Sequence, residues 1–121
     1  MVSVEPAHLV GTGGAIGALC RHYLGSAVDA EGFPLGTLTV NILGSFVLAL
    51  VTFAGLGNDL LLFVGTGACG SFTTFSSFSF DTVHLWESGE RLRAGANASA
   101  NLVGAMAAIG LGWGVATIAG L

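Results

Sequence analysis

Residues 65–79 read Gly65-Thr-Gly-Ala-Cys-Gly-Ser-Phe-Thr-Thr-Phe-Ser-Ser-Phe-Ser79, an uncharged run of three glycines, then two adjacent threonines, then phenylalanines interleaved with serines. Such a run is poor material for a continuous helix. Glycine costs backbone entropy, β-branched threonine loses side-chain freedom, and short hydroxyl side chains offer the backbone alternative partners. A break is expected near residues 70–74. Because the run sits in an apolar segment, the freed backbone groups must be buried in protein, bound to an ion or hydrated. Freed carbonyls coordinate Na⁺, whereas N–H edges and helix N-termini favour anions. The plainer alternative is a kinked helix whose break is sealed by Ser and Thr hydroxyls.

Outward from this run the chain stays apolar. Of its 121 residues 53% are hydrophobic and 8% charged, with a mean hydropathy of +0.84, far from the roughly one-quarter charged fraction of soluble domains. The stretches 6–20, 32–58, 60–80 and 94–121 lack charge, and the last three meet the ~20-residue requirement of a membrane span. The first reaches about 18 residues if Arg21 lies near the interface. A secretory signal is disfavoured there, because no positive segment precedes it. The expected fold is an all-α membrane protein, one domain over 1–121. Its four transmembrane helices fall at about 7–24, 35–56, 60–86 and 95–120, the third broken near its centre.

Twenty glycines are present, most inside the spans. Small residues let membrane helices approach closely, so Gly13, Gly14 and Gly17, and likewise Gly110, Gly112 and Gly114, read as packing seams. Four short helices are few to enclose a pathway, which makes association of copies expected. Two segments echo one another: Val40-Asn-Ile-Leu-Gly-Ser-Phe46 and Ala100-Asn-Leu-Val-Gly-Ala-Met106. Each sets an asparagine three residues before a glycine, so a polar group and a close-packing notch share one face. For Asn41, Asn97 and Asn101, interhelical glue and pathway lining are equally compatible with the spacing. Phe75 and Phe78 share a helical face; they suit aromatic packing, and their electropositive ring edges also suit an anion.

The charged residues exclude more than they assign. Lysine is absent and the net charge is −4, which speaks against nucleic acid and anionic-lipid anchoring and suits a high-salt setting. Cys20 and Cys69 have no metal or disulfide-scaffold spacing. His8, His22 and His84 lie near span ends without a paired nucleophile or metal spacing, so an enzyme is not expected. A small four-helix multidrug exporter needs a membrane-embedded glutamate in its first helix, and Glu5 precedes that span. A non-transporting assembly subunit would not need the asparagines. Arg21, Arg91 and Arg93 all fall to one side of the four-span topology, a bias the positive-inside rule reads as orientation. It raises a heterodimer with an oppositely biased homologue as an alternative to a homodimer.

Gly13-Gly-Ala-Ile-Gly-Ala-Leu-Cys-Arg21, Pro34-Leu-Gly-Thr-Leu-Thr-Val-Asn-Ile-Leu-Gly-Ser45 and Gly70-Ser-Phe-Thr-Thr-Phe-Ser-Ser-Phe-Ser79 resemble, in order, three signature blocks of the Fluc (CrcB) fluoride channel family. The resemblance covers nearly the whole chain. It implies an antiparallel dual-topology dimer in the cell membrane that exports fluoride passively through two pores, with a Na⁺ at the dimer centre. It implies pore roles for Phe75 and Phe78 as the aromatic box, Asn41 as a donor to fluoride, Ser76 and Ser77 with Thr74 and Asn101 as polar lining, and Arg21 at the vestibule. Backbone carbonyls of Gly70 and Thr73 are implied to hold the Na⁺. Asp81 stands where the family usually has glutamate, and Ala105 lacks the hydroxyl expected along the track of Asn97 and Asn101.

Overall fold

The structure, a computed structural model, describes residues 5–121, and its regular structure is helical. Helix α1 is Pro6–Ala27 and α2 is Leu35–Ala54. The third helix is in two pieces. Its first, α3, spans residues 58–72: Asn58–Leu60, the wide turns of Leu61–Cys69, and Gly70–Phe72. Its second, α4, is Phe75–Glu87, and α5 is Arg91–Ile118. Compared with the expected bounds, α1 runs three residues further and α5 starts four earlier.

Three segments are long and apolar enough to cross a membrane: Leu35–Ala54, Asn58–Glu87 and Arg91–Ile118. Large apolar side chains cover the outside of the fold, among them Leu92, Leu111 and Ile118. In water such a surface would aggregate, whereas in lipid it is the solvated face. The chain is therefore an integral membrane protein. Helix α1 has the length of a span, about 33 Å, but is not among those three apolar segments, since it carries His8, Arg21 and His22.

Close packing of small residues assembles the helices. Helix α1 lies along α3 in the same direction, and a β-carbon on Gly13 or Gly17 would collide with the carbonyl oxygens of Phe63 and Ala68. Gly67 meets the seam from the other side, where a β-carbon would come 2.7 Å from Val10 O. Helices α2 and α5 also run in parallel: Asn41 faces Asn101, and Gly112 sits against Phe46 O and Ala49. The seam expected of Gly110, Gly112 and Gly114 is found in part. Only Gly112 packs within the chain; the other two face open space, because residues two apart on a helix point to different faces.

The glycines of the third helix do not break it. They widen it: Gly70 N–H donates to Gly65 O, five residues back, a π-type turn of the kind that recurs at functional sites. The break comes later. Thr73 is extended (ψ 160°), as is Thr74 (φ −149°, ψ 120°), which falls inside the expected window.

The α1–α3 seam yields a test. Replacing Gly17 with alanine drives a methyl group into a backbone carbonyl that cannot rotate away, an overpacking cost of about 1–3 kcal/mol. Gly95→Ala in α5, where nothing lies within 4 Å, serves as the reference. Thermal unfolding in detergent should show Gly17→Ala melting well below wild type and Gly95→Ala at or above it.

Candidate functional site

The Thr-Thr pair ends one helix and starts the next. Thr73 turns back on Cys69, its N–H and its hydroxyl both donating to the Cys69 carbonyl, at 3.1 and 2.9 Å. Thr74 caps α4, its Oγ1 accepting the N–H of Ser77 at 3.1 Å, as threonine does at N-termini. The carbonyls of Gly70, Ser71, Phe72 and Thr73 lose their helical partners in consequence. In an unbroken helix Thr74 N–H would donate to Gly70 O and Ser77 N–H to Thr73 O; here they go to Asn41 and to the Thr74 hydroxyl.

Asn41 closes the break from α2. Its Oδ1 accepts Thr74 N–H at 2.8 Å, and its Nδ2 donates to Thr74 O at 3.1 Å, so one side-chain amide pairs with both backbone groups of one residue. The second Nδ2 hydrogen goes to Asn101 Oδ1 at 3.0 Å. Both donors of Asn41 are thus engaged. Gly44, one turn along, makes the approach possible: a β-carbon there would run into Thr73 Cγ2. The asparagine–glycine spacing works as its sequence pattern implies. In the echoing segment, Asn101 meets Asn41, and a β-carbon on Gly104 would lie 2.6 Å from Ile42 Cδ1.

Two cavities meet at Thr74. One, of about 280 Å³, is polar and open toward the α1–α2 connection; Arg21, His22, Asp29, Thr37, Thr74 and Ser77 line it. Arg21 has no ion-pair partner among the described residues, so its charge is available to an anion. The other, of about 370 Å³, is mainly apolar and is lined by Phe75, Phe78, Asn41, Thr74, Asn101 and Ala105, with Leu48 and Leu102 adding to its wall. The Phe75 and Phe78 rings are 5.8 Å apart at 50°, and Phe75 is 79% exposed on the single chain.

The structure therefore brings Asn41, Thr73, Thr74, Phe75, Phe78 and Asn101 to one cavity, and Arg21 and Ser77 to the other. Ser76 is exposed and borders neither, as does Gly70. Among the described residues, no hydrogen bond takes up the hydroxyl hydrogens of Thr74 or Ser77. Asp81, shorter than glutamate, does not reach the polar cavity itself but accepts the Thr37 hydroxyl at 2.9 Å from outside it. Ala105 adds only a methyl group to the second cavity, so that face of α5 offers no donor below Asn101. Sequence reasoning missed Thr37 and Thr82. Nothing in their surroundings marks them, because their roles arise from contacts with Asp81 and Asn97 on distant or neighbouring helices.

The family model described as CrcB-like protein, Camphor Resistance (CrcB), matches residues 8–113. Fluoride-specific ion channel FluC 2 of Haloarcula marismortui is 63% identical over 118 residues, 98% of this chain and 99% of its own. Fluoride-specific ion channel FluC 1 of Halobacterium salinarum is 49% identical over 108 residues, 89% and 91% of the two chains. Fluoride-specific ion channel FluC of Methanocaldococcus jannaschii is 41% identical over 103 residues, 81% and 83%. With the family model spanning most of its length and relatives this similar along nearly all of it, the chain belongs to the CrcB-like protein family.

Proposed function

We propose that this protein is a fluoride-selective channel that lets fluoride leave the cytoplasm passively. The observation that carries the reading is the meeting of a polar cavity that holds Arg21 and an aromatic cavity at the Thr74 wall of a broken helix. The names of the relatives support the choice of ion.

Fluoride is small and strongly hydrated, so a narrow path must replace its water with donors. Arg21 draws the anion into the polar cavity by charge. The free hydroxyls of Thr74 and Ser77 take over from water at the break. Beyond it, the electropositive ring edges of Phe75 and Phe78 face the ion. Asn41 borders that cavity, but its donors are engaged; it reaches fluoride by exchanging its bond to Asn101 or to Thr74 O. Larger halides are excluded by size. Helix α1 carries no glutamate of the kind a multidrug exporter uses to couple protons; Glu5 stands before it as its N-cap residue.

In this reading α1 crosses the membrane as the fourth span, and the channel is an antiparallel dimer. The exposure of Phe75 on the single chain supports a second subunit, since 79% of the residue is otherwise uncovered. Na⁺ is the fitting ion at the junction: Gly70 and Thr73 supply unpartnered carbonyl oxygens, the donors that discontinuous membrane helices offer to Na⁺. Two oxygens are few for one ion, and a matching pair from the other subunit completes the set. Bound there, Na⁺ supplies positive charge that offsets the cost of an anion in low dielectric.

The arginines bear on which subunit that is. Arg93 Nη1 donates to Gly32 O at 3.3 Å and pairs with Glu90 at 2.8 Å, which ties the third connection to the first at one end. Arg21 borders the cavity at the same end. This one-sided bias keeps an oppositely biased homologue as an alternative to a second copy; a fluoride-conducting homodimer from the chain expressed alone would rule that alternative out.

Reconstituted in liposomes, the protein should release fluoride and retain chloride. Phe75→Ile should slow fluoride efflux by about tenfold or more, since the aliphatic chain has no electropositive edge. Asn41→Asp, which puts a carboxylate beside the anion's path, should abolish it. Replacing Na⁺ by N-methyl-D-glucamine on both sides should also lower the rate. No fluoride efflux from folded protein, alone or with a co-expressed homologue, would overturn the reading.

A further inference from the structure

Asn97 is 0% exposed and borders neither cavity, yet it is not an isolated piece of interhelical glue. Its Nδ2 donates to Thr82 Oγ1 at 2.9 Å, and its Oδ1 accepts from Asn101 Nδ2 at 3.1 Å; Asn101 Nδ2 also donates to Asn97 O at 2.9 Å. Thr82 in turn donates to Phe78 O at 2.8 Å. Joined to the bonds of Asn41, these form one chain with a single direction. Thr74 N–H donates to Asn41, Asn41 to Asn101, Asn101 to Asn97, Asn97 to Thr82, and Thr82 to Phe78 O. The chain leaves the broken helix at Thr74, passes through α2 and α5, and returns to α4 at Phe78.

Each amide in this circuit has one possible orientation. Thr74 N–H needs an acceptor, so Asn41 turns Oδ1 toward it; Asn41 then presents Nδ2 to Asn101, which must answer with Oδ1, and the choice passes on to Asn97. Hydrogen bonds aligned head to tail polarise one another, and a buried network of this kind rewards full satisfaction and penalises a gap. Simple glue would need one such bond.

We infer that Asn97 is a positioning residue, which ties Asn101, and through it the clamp of Asn41 on the Thr74 break, to Thr82 and the Phe78 carbonyl of α4. The inference deepens the channel reading and rests on it only for the consequence in flux: without the Asn97 side chain, Asn101 Nδ2 keeps only the carbonyl of residue 97, Thr82 loses the amide that bonds it, and the link between the Asn41 clamp and the Phe78 carbonyl opens.

The chain contains four asparagines, Asn41, Asn58, Asn97 and Asn101, so ¹⁵N-asparagine labelling in detergent micelles gives four side-chain amide signals. In Asn97→Ala the signals of Asn41 and Asn101 should both move, with that of Asn58, at the start of α3, as the unmoved reference. Fluoride efflux should fall by roughly tenfold, about the worth of one hydrogen bond, while the melting curve stays cooperative. If Asn97→Ala does not fold, Thr82→Val removes only the far acceptor and is read in the same two ways. Unmoved Asn41 and Asn101 signals overturn the inference, as does efflux within about twofold of wild type in a variant whose signals have moved. A wild type that conducts no fluoride defeats the channel reading alone, and the amide signals then decide the role of Asn97.

Discussion

The pairing of the Asn41 side chain with both backbone groups of Thr74 is the interaction on which the rest depends. A helix cannot be interrupted inside a membrane unless something replaces the lost backbone partners. Asn41 replaces them in the geometry of a peptide, with bonds of 2.8 and 3.1 Å. Thr73 and Thr74 deal with the remaining ends locally, one by bonding back to Cys69 and the other by capping α4. What remains unpartnered at the break includes the carbonyls of residues 70–73 and the hydroxyl hydrogens of Thr74 and Ser77. These are the groups an ion-conducting protein would expose, oxygens for a cation and O–H donors for an anion.

The helix packing exists to bring those groups together. Asn41 reaches Thr74 only because Gly44 lets Thr73 lie against α2. Helix α3 is itself held by α1, through a seam where Gly13, Gly17 and Gly67 bring backbone against backbone. Lipid supplies no hydrophobic drive between helices, so close contact and interhelical hydrogen bonds must do the work. The fold uses both: glycine seams join α1 to α3 and α2 to α5, and an amide circuit joins α2, α5 and α4. A single chain nevertheless leaves Phe75 uncovered and one helix, α1, only modestly apolar.

Much of this was legible in residue types. The threonine pair after a glycine-rich run marked the interruption, and asparagine three residues ahead of glycine marked the face of α2 that meets it. Other expectations were redirected. The glycines at 65 and 70 widen the helix and leave its breaking to the threonines, since a missing β-carbon permits a wide turn while a hydroxyl actively competes for the backbone. Gly110 and Gly114 look equivalent to Gly112 in sequence, yet rotation about the helix sends them to other faces. Asn97 and Asn101, equally polar and one turn apart, part company: Asn101 borders the aromatic cavity, and Asn97 is sealed from both.

Sequence by itself determined that the chain lives in a bilayer, that its third helix must be interrupted, and which residue types were at hand to mend the interruption. These follow from composition and local propensity, which act through neighbours along the chain. Only the tertiary structure decided who mends it. The direction of the circuit from Thr74 to Phe78, the recruitment of Thr82 and Thr37, and the division of a polar from an aromatic cavity at one threonine all depend on the rotation and depth of helices packed against one another. Hydrogen bonds are short and directional, so partners 15 to 60 residues apart in sequence are settled by that packing and by nothing nearer.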